Sequence, residues 1–269
     1  MEINIDQTRW YDRLWAAFIF FTRLPFWRLR QPPKSSYAAV VEWWPLTGWL
    51  TAGIMAAIVY FGSMVFPYPI ALLLAIVSRL LVTGALHEDG LADFFDGFGG
   101  GGTDRERILA IMKDSHIGTY GVVSLLFYFG LLYVALMALP PKMAALAILA
   151  ADPFSKMVTS QLILMMPYAR TAEQAKNHTV YRKPSVKAGI GLAIQGLLPL
   201  AAFLWLMKGQ IDWSLLIFPP CLVMYFLYLL IWRRLRGYTG DCCGAVCLLV
   251  ELSFYLSLIA NYIGNISTY

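Results

Sequence analysis

Long, nearly charge-free apolar runs occupy most of this chain, and they decide its solvent before any other feature does. A helix crosses the hydrocarbon of a bilayer with about 20 apolar residues. Six to seven segments meet or approach that length, near 43 to 66, 69 to 86, 117 to 139, 143 to 166, 188 to 207, 213 to 232 and 242 to 263. The breaks between them are short and turn-forming: PYP at 67 to 69, PPK at 140 to 142 and KGQID at 208 to 212. Only 14% of residues are charged and mean hydropathy is +0.62, which excludes an ordinary water-soluble domain. The expectation is an all-α, polytopic membrane bundle of about seven spans.

Positive charge orients such a chain, because loops rich in Lys and Arg stay on the cytoplasmic side. Arg9, Arg13, Arg23, Arg28, Arg30 and Lys34 precede the first span and predict a cytoplasmic N-terminus. Threading seven spans from there places 87 to 116, 167 to 187 and 233 to 241 inside with most of the remaining basic residues, and leaves only Lys142 and Lys208 outside. The net charge of +5 is thus explained by topology, and no nucleic-acid stripe exists. The expected division is an N-terminal cytoplasmic or interfacial segment, 1 to 42, followed by one membrane catalytic domain, 43 to 269. Within the first, 14 to 27 is too short and too interrupted by Arg23 to span, and reads as an amphipathic helix on the inner leaflet. No cleaved signal peptide is expected. Cys221, Cys242, Cys243 and Cys247 lie in or beside apolar runs and read as small packing residues.

Against this background the stretch HEDGLADFFDG, residues 87 to 97, is costly. At 100° per residue Asp89, Asp93 and Asp96 project at about 0°, 40° and −20°, on one helical face. Carboxylates so close repel unless a cation lies between them, and oxygen ligands favour Mg²⁺, Mn²⁺ or Ca²⁺. Glu88 falls about 100° off that face and serves as a further ligand or an orienting group. Four glycines follow, Gly99 to Gly102; they break the helix, and the amides around Gly100 and Gly101 would approach a phosphate. Arg105, Arg107 and Lys113 add positive charge. Carboxylates, glycines and cations in this order describe a phosphoryl-transfer site.

HEDGLADFFDGFGGG, then IMKDSHIGTYG, then GYTGDCCGA at 237 to 245 together resemble the cobalamin synthase family, the membrane adenosylcobinamide-GDP ribazoletransferases. The core from Asp93 to Gly97 is also similar to that of CDP-alcohol phosphotransferases, although the Ala-Arg after that core and the later Gly-x3-Asp-x3-Asp are absent. The first resemblance implies a bacterial inner-membrane enzyme with its site facing the cytoplasm. In it, a hydroxyl of α-ribazole, or of its 5′-phosphate, displaces GMP from adenosylcobinamide-GDP to give adenosylcobalamin or its 5′-phosphate. It implies Mg²⁺ held by Glu88, Asp89, Asp93 and Asp96. Asp114 or Asp241, both at cytoplasmic ends of expected spans, are the candidates for the base that takes the hydroxyl proton, and His116 could serve as base or hydrogen-bond donor. A homo-oligomer, or association with other B12-assembly enzymes, is compatible with it.

Two charged features fall within the bilayer. Arg79 binds substrate phosphate or snorkels to the interface; Asp152 and Lys156, four residues apart, neutralise each other. Glu251 has no local partner. The basic loop 167 to 187 and the RRLR run at 233 to 236 would attract nucleotide phosphates, or serve only to orient the chain. The competing classes are a phospholipid-making CDP-alcohol phosphotransferase and an ion transporter, the latter requiring Asp89, Asp93, Asp152 and Glu251 to line a path.

Overall fold

A computed structural model describes residues 8 to 170 and 180 to 266, with side chains described as far as Tyr262. The expected apolar runs are all helical, as lipid demands when it offers backbone groups no hydrogen-bond partner. In order, the helices are α1 (Trp10–Phe21), α2 (Phe26–Leu29), a 3-10 helix (Lys34–Trp43), α3 (Trp44–Gly62), α4 (Tyr68–Thr83), α5 (Leu86–Gly100) and α6 (Arg105–Lys113). They continue with α7 (Thr119–Met137), α8 (Pro141–Met165), α9 (Val186–Leu206), α10 (Trp213–Leu235) and α11 (Gly240–Ile266). Prolines stand in the first turns of α3, α4 and α8, where a missing N–H costs nothing. No β-strand occurs among the described residues.

Five helices are both long and apolar enough to span, and a sixth span is counted if α4 and α5 are taken as one bent unit. α8 is absent from that set: at 25 residues it is roughly 37 Å long, but it carries Asp152 and Lys156. The count of about seven therefore rests on α8 and on α4. α8 is nonetheless an interior element. Ala144, Ala147, Ala150 and Ala151 are fully buried along it, small enough to let α3, α9 and α11 approach closely. At Gly48 of α3 an added Cβ would lie 3.2 Å from Pro153 Cα. The lipid side of the bundle is covered by exposed Leu197, Leu198, Trp205, Phe218 and Phe226 on α9 and α10, a surface that water would not tolerate.

The N-terminal segment is packed onto the bundle. α1 lies against the 3-10 helix and α3; Arg30 pairs with Asp12 at 2.7 Å, and Glu42 takes Arg13 at 3.3 Å and Arg182 at 2.7 Å.

Two expectations are corrected here. The stretch 87 to 116 is not a loop but two helices. α4 ends where Gly84 and Ala85 both adopt positive φ, 65° and 55°, and the chain turns by 88° into α5. Gly84 is needed twice over, for its left-handed backbone and because a Cβ there would strike the Arg23 side chain. Glu251 does have a partner, supplied across the bundle: Arg79 binds it with Nη1 at 2.8 and 2.9 Å, and Tyr255 donates to it at 2.7 Å.

The Asp152–Lys156 pair forms as the spacing predicts, and Thr51 donates to the second carboxylate oxygen at 2.8 Å. Both members are buried. Lys156→Met should therefore destabilise the protein by about 3–5 kcal/mol by leaving a buried acid unpaired, and adding Asp152→Leu should recover most of that loss. Thermal unfolding of the purified variants in detergent checks this; equal stability of Lys156→Met and the parent would contradict it.

Candidate functional site

The acidic helix α5 docks on α11 through glycine. A Cβ on Gly90 would lie 3.1 Å from both the Cα and the carbonyl oxygen of Asp241, and one on Gly244 would lie 3.1 Å from the carbonyl oxygen of His87. Any larger residue would part the two helices. Asp241, in the first turn of α11, is thereby held beside the turn of α5 that carries Asp89 and Asp93. Asp89 is exposed, Asp93 half-buried and Asp241 buried. The GYTGD turn is itself fixed: Tyr238 accepts from Ala169 N–H at 2.8 Å and donates to Pro167 at 3.0 Å, while the Thr239 hydroxyl donates to Asp241 Oδ2 at 3.4 Å.

The other two acids face elsewhere. Glu88 is buried with its carboxylate 3.6 Å from Arg79 Nη2. Asp96 accepts from the backbone N–H groups of Gly118 at 2.7 Å and Gly121 at 2.8 Å, so its charge sits at the N-terminus of α7, where unpaired amides and the helix dipole favour it. The projection that aligns Asp89, Asp93 and Asp96 cannot show that α7 takes Asp96 as its own N-terminal partner. Among the described residues no three His, Cys, Asp or Glu side chains stand close enough to hold a metal ion as they are arranged. The donor set of Asp89, Asp93 and Asp241 is nonetheless all oxygen, the chemistry a hard divalent cation takes.

Arg79 is neither snorkelling nor open to a phosphate: it is 4% exposed, with Glu251, Glu88 and the Tyr128 hydroxyl, 2.5 Å from Nη2, around its guanidinium. The glycine run also has a packing explanation. Helix α5 runs through Gly100, and Gly101 N–H bonds back to Gly97, so these amides belong to the helix end. A Cβ on Gly101 would sit 2.5 Å from Ile108 and one on Gly97 2.5 Å from Met112; the glycines let α6 fold back over α5. Arg105 spans outward, donating to the carbonyls of Leu235 at 2.8 Å and Ala169 at 2.5 Å. Arg105, Lys113 and Arg170 line a cleft of about 500 Å³. Arg170, which donates to Leu109 O at 2.9 Å, belongs to this basic wall although nothing local in the sequence distinguishes it from its loop neighbours. Arg107 is exposed. Part of the basic loop, 171 to 179 with Lys176, lies outside the described residues.

The fold-back of α6 sets the KDSHIG turn over the end of α5, since Gly118 bonds Asp96. In that turn Asp114 and His116 pair at 2.6 Å, and Asp114 also accepts the His116 N–H at 3.1 Å. These bonds lower the Asp114 pKa and raise that of His116. The raised histidine makes the imidazole the stronger proton acceptor of the two near neutral pH.

Comparison with known proteins agrees with the motifs. Residues 13 to 259 match the family model described as cobalamin-5-phosphate synthase. The chain is similar to proteins named adenosylcobinamide-GDP ribazoletransferase from Leptospira interrogans, 34% identical over 97% of this chain and 99% of the relative, and from Shewanella frigidimarina, 35% identical over 97% and 98%. A relative of the same name from Vibrio parahaemolyticus is 36% identical over 91% of each chain. No solved structure matches.

For the exposed pair in the KDSHIG turn the sign follows from the two shifts. Stabilisation through His116 is full below its ordinary pKa and is lost as pH rises through the raised value; that through Asp114 is present above its ordinary pKa and lost as pH falls through the lowered one. Titration of His116 by NMR should give a pKa above the ordinary 6.5, and Asp114→Asn should return it toward that value. An unchanged His116 titration in Asp114→Asn would contradict the pairing.

Proposed function

The chain belongs to the cobalamin-5-phosphate synthase family, whose members join ribazole to adenosylcobinamide-GDP, and on that premise we propose how its residues carry out the transfer. The observation that carries the reading is the contact of Gly90 with the backbone of Asp241, which supports a shared site for acids from two distant motifs. The reaction forms a bond between a hydroxyl oxygen of α-ribazole, or its 5′-phosphate, and the phosphorus on the corrinoid side of the diphosphate. It breaks the bond from that phosphorus to the bridging oxygen, and GMP leaves.

Asp89, Asp93 and Asp241 would hold Mg²⁺, which when bound supplies charge neutralisation at the diphosphate. Glu88 and Asp96 keep a supporting role in this reading: Glu88 balances Arg79, and Asp96 anchors the start of α7. The attacking hydroxyl gives its proton to Nε2 of His116, held in orientation by Asp114 at Nδ1. Arg105, Lys113 and Arg170, with Glu106 among them, line a cleft of net positive charge suited to the phosphates of the guanosine nucleotide before release, as charged hydrogen-bond donors to an anion. The site faces the cytoplasm of the bacterial inner membrane, as the loop charges argue.

Purified protein in nanodiscs should release GMP from adenosylcobinamide-GDP when α-ribazole and Mg²⁺ are both present. Asp93→Asn should lose at least about 100-fold in turnover, the scale of losing a group that stabilises charge in the transition state, while inserting and folding normally by circular dichroism. Near-normal turnover in Asp93→Asn would remove the metal site from the mechanism, and ion flux in liposomes without GMP release would favour a transporter.

A further inference from the structure

Two clefts lie at the end of the bundle remote from the acidic helix. Helix α7 starts beside Asp96 and runs for 19 residues, roughly 28 Å, before α8 begins at Pro141. Lys142 therefore marks the far end. One cleft, of about 340 Å³, lies between α3 and α8 and has Tyr60 and Lys142 at its rim. The other, of about 440 Å³, lies between α8 and α9 and is closed on one side by Trp49 of α3. Leu146 and Leu149 of α8 line both. Apart from Lys142, every lining residue is apolar or aromatic.

The shape of both clefts is built into the sequence. Gly53, Ala56, Ala57 and Ala145 floor the first. Gly53 lies within α3, and a Cβ there would meet nothing within 4 Å. Neither an unusual backbone nor a neighbouring helix calls for glycine at this position, and inside a helix glycine is less stable than alanine. What it leaves is space. In the second cleft, Pro199 within α9 deprives the Gln195 carbonyl of its helical partner. Trp49 Nε1 donates to that oxygen at 2.7 Å, which fixes the indole as a wall.

Lipid covers every apolar face of such a bundle, but these clefts are concave, formed in advance and capped by a charge. From Trp49 to Tyr60 the lining follows α3 for roughly 16 Å. That is about the depth of one leaflet in a hydrocarbon core about 30 Å thick. Lys142 is exposed and has no carboxylate partner among the described residues. One cation at the rim of two apolar clefts matches an amphiphile with an anionic end and two chains. We propose that the clefts hold the two acyl chains of one anionic phospholipid, astride Leu146 and Leu149, with the Lys142 ammonium donating to its phosphate. This lipid sits in the leaflet opposite the acidic site, and its binding does not depend on the transfer reaction.

Native mass spectrometry tests this on the full-length protein, taken into mild detergent from nanodiscs of equal phosphatidylglycerol and phosphatidylcholine. One phosphatidylglycerol per chain is expected, preferred about fivefold over phosphatidylcholine, the worth of one cation beside an anionic headgroup. Lys142→Gln should bring that preference close to parity while lipid is still retained. Gly53→Leu places a side chain in the first cleft from a position with open space around it, and should cut retention of either lipid at least about tenfold by displacing one buried chain. Circular dichroism of both variants should match the parent; if Gly53→Leu does not fold, the exposed Lys142→Gln decides alone. Loss of all lipid from the parent, equal retention of the two lipids, or a preference unchanged in Lys142→Gln would each overturn the proposal. So would full lipid retention in a folded Gly53→Leu. A protein dimer in place of the bound lipid would overturn it in favour of a second copy of the chain.

Discussion

The contact of Gly90 with the backbone of Asp241 is the constraint on which the site depends. Two helices can bring their backbones this close only where neither presents a side chain, and Gly90 and Gly244 supply both halves of the crossing. The acids of two motifs about 150 residues apart are joined there by backbone approach. The join is stiffened from below by Arg79, which reaches from α4 to Glu251 on α11, to Tyr128 on α7 and to Glu88 on α5.

A buried guanidinium in a membrane bundle is tolerable only with such partners, and the same holds for Lys156 with Asp152. These pairs distinguish the competing classes. A transporter would present Asp152 and Glu251 to a water-filled path; here each is buried against a cation. Asp89, exposed, and Asp93, half-buried, lie one turn apart on α5, the arrangement an interfacial transferase requires.

The helices were legible in the sequence because lipid allows so few alternatives: apolar length and proline position set each span within a few residues of where it lies. The site was legible in part. The acidic motif, GYTGD and KDSHIG were visible as local patterns, and the coupling of Asp152 with Lys156 followed from helical spacing. The 88° turn at Gly84 and Ala85 was hidden, since Ala85 adopts positive φ through tertiary packing and against its own preference. The partner of Glu251 was hidden for the same reason: Arg79 is 172 residues away, and only topology brings them together. The tetraglycine suggested a phosphate cradle because close approach by a phosphate and close approach by a helix ask the same thing of a residue; Ile108 and Met112 show that α6 is what approaches.

The central claim is that α5 and α11 together make one cation site. Electron paramagnetic resonance of Mn²⁺ titrated into the protein in nanodiscs tests it without reference to turnover. One saturable class of bound ion is expected, lost alike in Asp89→Asn on α5 and Asp241→Asn on α11. Retention of that class at unchanged affinity in Asp241→Asn would contradict a site shared between the two helices.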